Sequence, residues 1–105
     1  MKRSLLMVLA TSAISLSSFA YSCAQYEAQV IGKGKVIVNY DNGTCMAKIK
    51  SVASYDDNVI CPLSFDTALS SFIKLTPSQC ESVETDGYLS GVLVKKENKS
   101  VLILE

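Results

Sequence analysis

Four cysteines, Cys23, Cys45, Cys61 and Cys80, spread through a chain of 105 residues constrain its fold more than any other feature. An even set in a short exported chain is normally oxidised into bridges, and a very small domain needs such crosslinks because its own core buries too little apolar surface. No Cys-x-x-Cys pair occurs, so the chain lacks a thioredoxin-like redox motif and the close ligand pairs of a cysteine zinc site. Two structural disulfides are expected, each closing a long loop and contributing about 4 kcal/mol in the chain-entropy picture.

The N-terminus supplies the oxidising location that such bridges need. Lys2 and Arg3 form a charged start, Leu5 to Ala10 with Ala13, Ile14 and Leu16 form an apolar middle, and Ser18-Phe19-Ala20 supplies small residues where a signal peptidase reads. A secretory signal peptide is expected over residues 1–20, cut after Ala20 or, as the second choice, after Ser22. Its apolar part is diluted with Ser and Thr and is shorter than the roughly 20 residues that span a bilayer, so stable membrane insertion is not expected. Cys23 closely follows this stretch, which raises lipid attachment as a rival. Ala20 and Tyr21 fit that signal poorly, and lipidation would leave an odd thiol. Residues 21–105 then form one small domain. Ten basic and ten acidic side chains balance in the full chain, and loss of Lys2 and Arg3 leaves the mature part net acidic. Nothing there offers the basic surface that nucleic acid demands.

Residues 26–40 alternate with period two. Ala28, Val30, Val36, Val38 and Tyr40 fall on one face and Glu27, Gln29, Lys33, Lys35 and Asn39 on the other, which predicts a long half-buried strand. Gly32 and Gly34 interrupt its apolar face, where missing side chains permit a bulge or a tight coil; two shorter strands are the simpler reading. Asp41-Asn42-Gly43 predicts a tight turn, and a return strand carries Cys45, Ala47 and Ile49 inward with Met46, Lys48 and Lys50 outward. Ser51 to Asn58 reads as a polar loop and Val59-Ile60-Cys61 as a short third strand closed by Pro62. Phe65, Leu69, Phe72 and Ile73 recur at helical spacing, so a helix capped by Ser64 is expected, packing its aromatic residues in the core and ending at Thr76-Pro77. Asp86-Gly87 marks a turn. Tyr88 to Lys95 and Ser100 to Leu104 form a last hairpin that is apolar on both faces and so is either buried twice or in contact with a partner.

The expected fold is mainly β (α+β): a small five-stranded OB-like barrel with one helix between strands 3 and 4 and two disulfides. Other small α+β sheets share that element order. Of the three pairings that four cysteines allow, the register of the first hairpin favours Cys23 with Cys61 and Cys45 with Cys80. Glu27-Ala28-Gln29-Val30-Ile31-Gly32-Lys33, Cys61-Pro62-Leu63 and Gly91-Val92-Leu93-Val94 resemble segments of uncharacterised small exported proteins of Bdellovibrio-type predatory bacteria. The resemblance implies a periplasmic or secreted location and no particular activity.

Chemistry is sparse. The chain has no histidine, which removes the commonest general base and the usual Ser-His and Cys-His pairs. Catalysis would rest on carboxylates such as Asp56 and Asp57, whose simpler role is a solvated turn, as a calcium site at Asp56-Asp57-Asn58 would lack a spaced ligand loop. No catalytic residue, metal or cofactor is assigned. The expectation is a non-catalytic exported binding protein for a protein or glycan, with an inhibitor of a secreted hydrolase as one version. A carbohydrate-binding, ring-forming OB-type subunit joined through the last hairpin is the first alternative, and a small carboxylate-only hydrolase the second. OB barrels bind through strands two and three and the flanking loops, which places the candidate face at Met46, Lys48, Lys50, Tyr55, Asp56 and Asp57.

Overall fold

The computed structural model describes residues 23–105, so the leader expected over residues 1–20 lies outside the described residues. Seven elements follow one another: β1 (Gln25–Asn39), β2 (Cys45–Asp57), α1 (Phe65–Ser70), β3 (Ile73–Leu75), α2 (Pro77–Asp86), β4 (Tyr88–Lys96) and β5 (Leu102–Leu104). The strands close into a barrel in the order β1-β2-β3-β5-β4, with β4 returning to β1. Only β3 and β5 run parallel, and every other neighbouring pair is antiparallel. This is the five-stranded, mainly β barrel of OB type, with α2 between its third and fourth strands.

One strand makes closure feasible in so short a chain. β1 pairs with β4 over Gln25 to Lys33 and with β2 over Ala28 to Asn39, so its middle serves two neighbours at once. Register shifts at Ile31/Gly32 and Lys33/Gly34 leave extra residues on β2 at the two glycines, and this tightens the coil of the ribbon there. A third shift, between Val36 and Val38, leaves an extra residue on β1. That bulge explains why Val38 and Tyr40, expected inside, are exposed.

The core follows the remaining alternation. Val30, Leu63, Ile73, Leu75, Leu89, Leu93 and Leu102 are its largest fully buried members, and no buried residue in the described part is polar or charged. Cys23 is bonded to Cys61, and Cys45, at the start of β2, is bonded to Cys80 in the first turn of α2. The second bridge therefore ties the helix that plugs the barrel to its wall.

Several local expectations are corrected. Val59-Ile60-Cys61 is a loop, because the Asn58 side-chain oxygen accepts from the amides of both Ile60 and Cys61 at 2.9 Å and so occupies the groups that a strand would pair. The third strand is instead Ile73–Leu75, taken from what reads as the end of a helix; Ile73 is buried there, whereas Phe65, Leu69 and Phe72 are exposed. The Ser64-capped helix exists but stops after six residues, at Ser70. Ser51 to Asp57 continues β2 rather than looping, since its partners on β1 hold it in the ladder.

Thr76-Pro77 opens a helix where an ending was expected. Proline lacks an amide that a first helical residue would leave unpaired anyway, and Thr76 and Gln79 cap each other's backbone amides in a reciprocal box. Gln79 also donates to the Leu104 carbonyl at 2.9 Å, so the cap is joined to β5. Thr76→Ala should lower stability by about 1 kcal/mol. Thermal unfolding followed by circular dichroism would show this as a Tm lowered by roughly 4–8 °C for a domain of this size.

Candidate functional site

Alternation places one outward residue on each of three neighbouring strands, and the registers put these residues side by side. Met46 of β2 lies opposite Lys74 of β3, and Lys74 lies opposite Ile103 of β5. Their chain neighbours Cys45, Ala47, Ile73, Leu75, Leu102 and Leu104 all point into the core. The row is the floor of a groove of about 520 Å³, closed on one side by Lys96 at the end of β4 and by Asn98, Lys99, Ser100 and Val101 of the β4–β5 loop. Asn98 sits in that loop with φ of 71°, a conformation that asparagine tolerates better than most residues. Past Met46 and Lys74 the groove runs on to Tyr40, Asn42 and Thr44 of the β1–β2 turn. That turn is well braced: Tyr40 N–H donates to the Thr44 carbonyl at 2.9 Å, and the Thr44 amide donates to the Asn42 side-chain oxygen at 3.1 Å.

The electrostatics of this groove differ from those of the chain as a whole. Three lysines line it and no carboxylate does, although acidic residues outnumber basic ones over residues 23–105. Lys48 extends the basic strip, its ammonium 5.4 Å from the centre of the exposed Phe72 ring. Apolar floor, lysine rim, amide and hydroxyl groups and one exposed tyrosine together suit a ligand with negative charge, hydroxyls and a flat apolar face.

The candidate face read from sequence does not hold together as one site. Met46 lies on the groove floor, whereas Lys48, two residues further along β2 and over the Phe72 ring, stands outside the groove lining. Lys50 lines a separate depression beside α2 that also carries Lys35 and Glu84. Asp56 and Asp57 lie further along β2, roughly 20 Å beyond Lys50 at ~3.3 Å per residue, in a depression with Glu27, Asn58 and Val59. Among the described residues no group of three or more His, Cys, Asp or Glu is placed to hold a metal ion. No helix in the described part is long and apolar enough to cross a membrane.

Tyr55 faces inward instead of toward a ligand. Its hydroxyl donates to the Leu63 carbonyl at 2.6 Å, with the Ser64 carbonyl 3.2 Å away, and its ring meets Phe65 edge-on at 5.0 Å. Burial pushes this phenol from its usual 10 up to about 12, and the charge of nearby Asp57 adds to the shift. The folded state thus holds the proton more tightly than the unfolded chain. Its stabilising share is complete below pH 10 and is lost as pH rises toward 12. Urea midpoints measured at intervals from pH 9 to 12 should fall along this limb, and Tyr55→Phe should flatten it.

Lys74, Lys96, Asn98 and Lys99 escape sequence reasoning as site residues. Lys74 stands between two apolar residues, a strand signal that is masked when the segment is read as helix, and lysines in a hairpin turn look like any solvated loop. Comparison with protein-family models, with curated proteins and with solved structures finds no match to this chain.

Proposed function

We propose that this chain is a non-catalytic binding module of the periplasm or extracellular space that holds an acidic oligosaccharide across β2, β3 and β5. The observation that carries the reading is the row of Met46, Lys74 and Ile103 with a lysine rim, walled by the β1–β2 turn and the β4–β5 loop. OB barrels take oligosaccharides and oligonucleotides on this face. The net acidic mature chain lacks the extended basic surface that a polynucleotide needs. A short glycan carrying a few carboxylates needs less: lysines for the charges, Asn42, Asn98 and Ser100 for hydroxyls, and the Tyr40 ring for a sugar face.

Two further observations support binding over catalysis and an exported setting. The chain has no histidine, and Asp56 and Asp57 lie exposed at the far end of β2 from the groove. Both disulfides fit an oxidising compartment.

Titration calorimetry with an oligosaccharide of uronic acids, a neutral oligosaccharide of equal length and a single-stranded oligonucleotide tests the reading. The uronic acid oligomer should bind, the neutral sugar much more weakly, and Lys74→Glu/Lys99→Glu should reduce affinity about tenfold or more. Equal affinity for charged and neutral sugars would remove the role assigned to the lysines, and tightest binding to the oligonucleotide would replace the ligand class.

A further inference from the structure

The most exposed apolar residues among the described ones are adjacent. Val59 and Ile60 are 96% and 82% exposed, at the tip of the loop between β2 and α1. This tip is held rigidly. Asn58 donates its amide to the Glu27 carbonyl at 2.9 Å and takes the Ile60 and Cys61 amides on its side chain. Glu27 N–H in turn donates to the Cys61 carbonyl at 3.0 Å, Leu63 N–H donates to the Glu27 carbonyl at 3.1 Å, and Cys61 is fixed to Cys23. Two branched aliphatic side chains displayed on a braced loop lose little freedom on docking, which favours binding. With the Ile60 and Cys61 amides already occupied, the loop is not set up to add as a strand to another sheet. It offers side chains, as a plug does.

Its flank has a definite sign. Glu27, Asp56 and Asp57 line the depression at the foot of the tip, beside Val59. The receptor it fits is an apolar depression edged with basic groups, and this chain displays one: Met46 and Ile103 flank Lys74 on the floor, and Lys96, Lys99 and Val101 stand along the wall. The two sites share no lining residue, and the tip is pinned to β1. We propose that Val59 and Ile60 of one molecule dock into the lysine-rimmed groove of a second copy. The contact is head-to-tail, because acid-flanked tips repel one another and each meets its complement only in the other molecule's groove. Repeated, such contacts close a ring if the rotation allows and otherwise extend as a filament. A docked tip and a bound acidic glycan would compete for the groove, yet the docking stands whether or not a glycan binds there.

Sedimentation of the mature, disulfide-bonded protein over a range of concentrations up to millimolar tests this. The wild type should show an average mass that rises with concentration. Val59→Ser/Ile60→Ser and, separately, Lys74→Glu/Lys99→Glu should each remain monomeric with unchanged far-ultraviolet circular dichroism, since all four side chains lie on the surface. Mixing these two variants should restore association but stop at the dimer, as one supplies only a groove and the other only a tip. A wild type that is monomeric throughout, a tip variant that still associates, or a mixture that stays monomeric would each overturn the proposal. So would a monomeric wild type that floats with phosphatidylcholine vesicles through Val59 and Ile60, which would assign the tip to lipid. Retained glycan binding by the tip variant separates failure of docking from failure of the groove.

Discussion

Cys45→Ala/Cys80→Ala should lose about 4 kcal/mol or more of stability, most of what a domain of this size possesses. The two bridges close loops of 38 and 35 residues. In the chain-entropy relation those lengths differ by only about 0.1 kcal/mol. Loop length therefore predicts equal losses for the two bridges, and packing has to break the tie. Cys45 and Cys80 are both buried, at 0% and 3% exposure, and they clamp β2 to the helix that fills the barrel end. Cys61 is only half-buried, and its partner Cys23 precedes the first strand. Removing the inner pair leaves a void that its neighbours fill incompletely, which adds to the entropic loss. Urea midpoints should rank the wild type highest, Cys23→Ala/Cys61→Ala next and Cys45→Ala/Cys80→Ala lowest. Equal midpoints for the two variants would mean that loop entropy alone governs, and a reversed order would place the critical clamp at the braced Val59–Ile60 loop instead.

How much of this architecture was legible follows from which signals are local. The first hairpin is a period-two pattern around Asp41-Asn42-Gly43, and the turn and the start of both strands lie where alternation places them, whereas β2 runs on through Ser51 to Asp57 and Val38 and Tyr40 turn outward. The last hairpin is equally plain, and its doubly apolar strands make sense in the barrel: Leu93, Leu102 and Leu104 fill the core while Ile103 floors the groove. The middle of the chain misleads because its signals compete. Val59-Ile60-Cys61 has strand composition, yet one asparagine side chain decides its backbone through two hydrogen bonds that no propensity scale anticipates. Ile73-Lys74-Leu75 has too few residues to show alternation, and its identity as β3 depends on Met46 and Ile103 standing on either side. Thr-Pro reads as a stop when a helix precedes it and as a start when one follows, and the capping partner Gln79 is what tells the two apart.

The site is less legible than the fold for the same reason. The groove collects residues from four strands and two loops, and closure of the barrel rather than nearness in sequence brings them together. Strand β2 alone suggests a face from Met46 to Asp57, but the bulges and the inward turn of Tyr55 divide it. Its positive end joins Lys74 and Lys99, and its negative end joins Glu27. The chain's nearly balanced charge thus hides a segregated surface, and net charge alone could not reveal a basic groove.

Closure itself hangs on Gly32. A Cβ built on this residue would stand 2.3 Å from the Ser51 carbonyl oxygen and 3.0 Å from the Val52 Cα, all of it backbone. Neither strand can give way there without breaking the register shift through which β1 serves β2 and β4 together. Gly32→Ala should therefore cost about 3 kcal/mol, at the upper end for overpacking. Gly34→Ala is the matched control. Its Cβ would meet the Leu89 side chain at 3.0 Å, which a shift of that side chain relieves, and the Lys48 carbonyl at 3.4 Å, an ordinary van der Waals contact. Alanine also reduces unfolded-chain entropy by about 0.4–1 kcal/mol, so that variant should lie near the wild type. Denaturant midpoints measure the difference, and affinity for the uronic acid oligomer should fall with Gly32→Ala alone, because an open barrel no longer aligns Met46, Lys74 and Ile103. If both variants were equally mild, residues 25–39 would behave as two short strands joined loosely at the glycines, and the groove would owe its alignment to β3 and β5 rather than to the coil of β1.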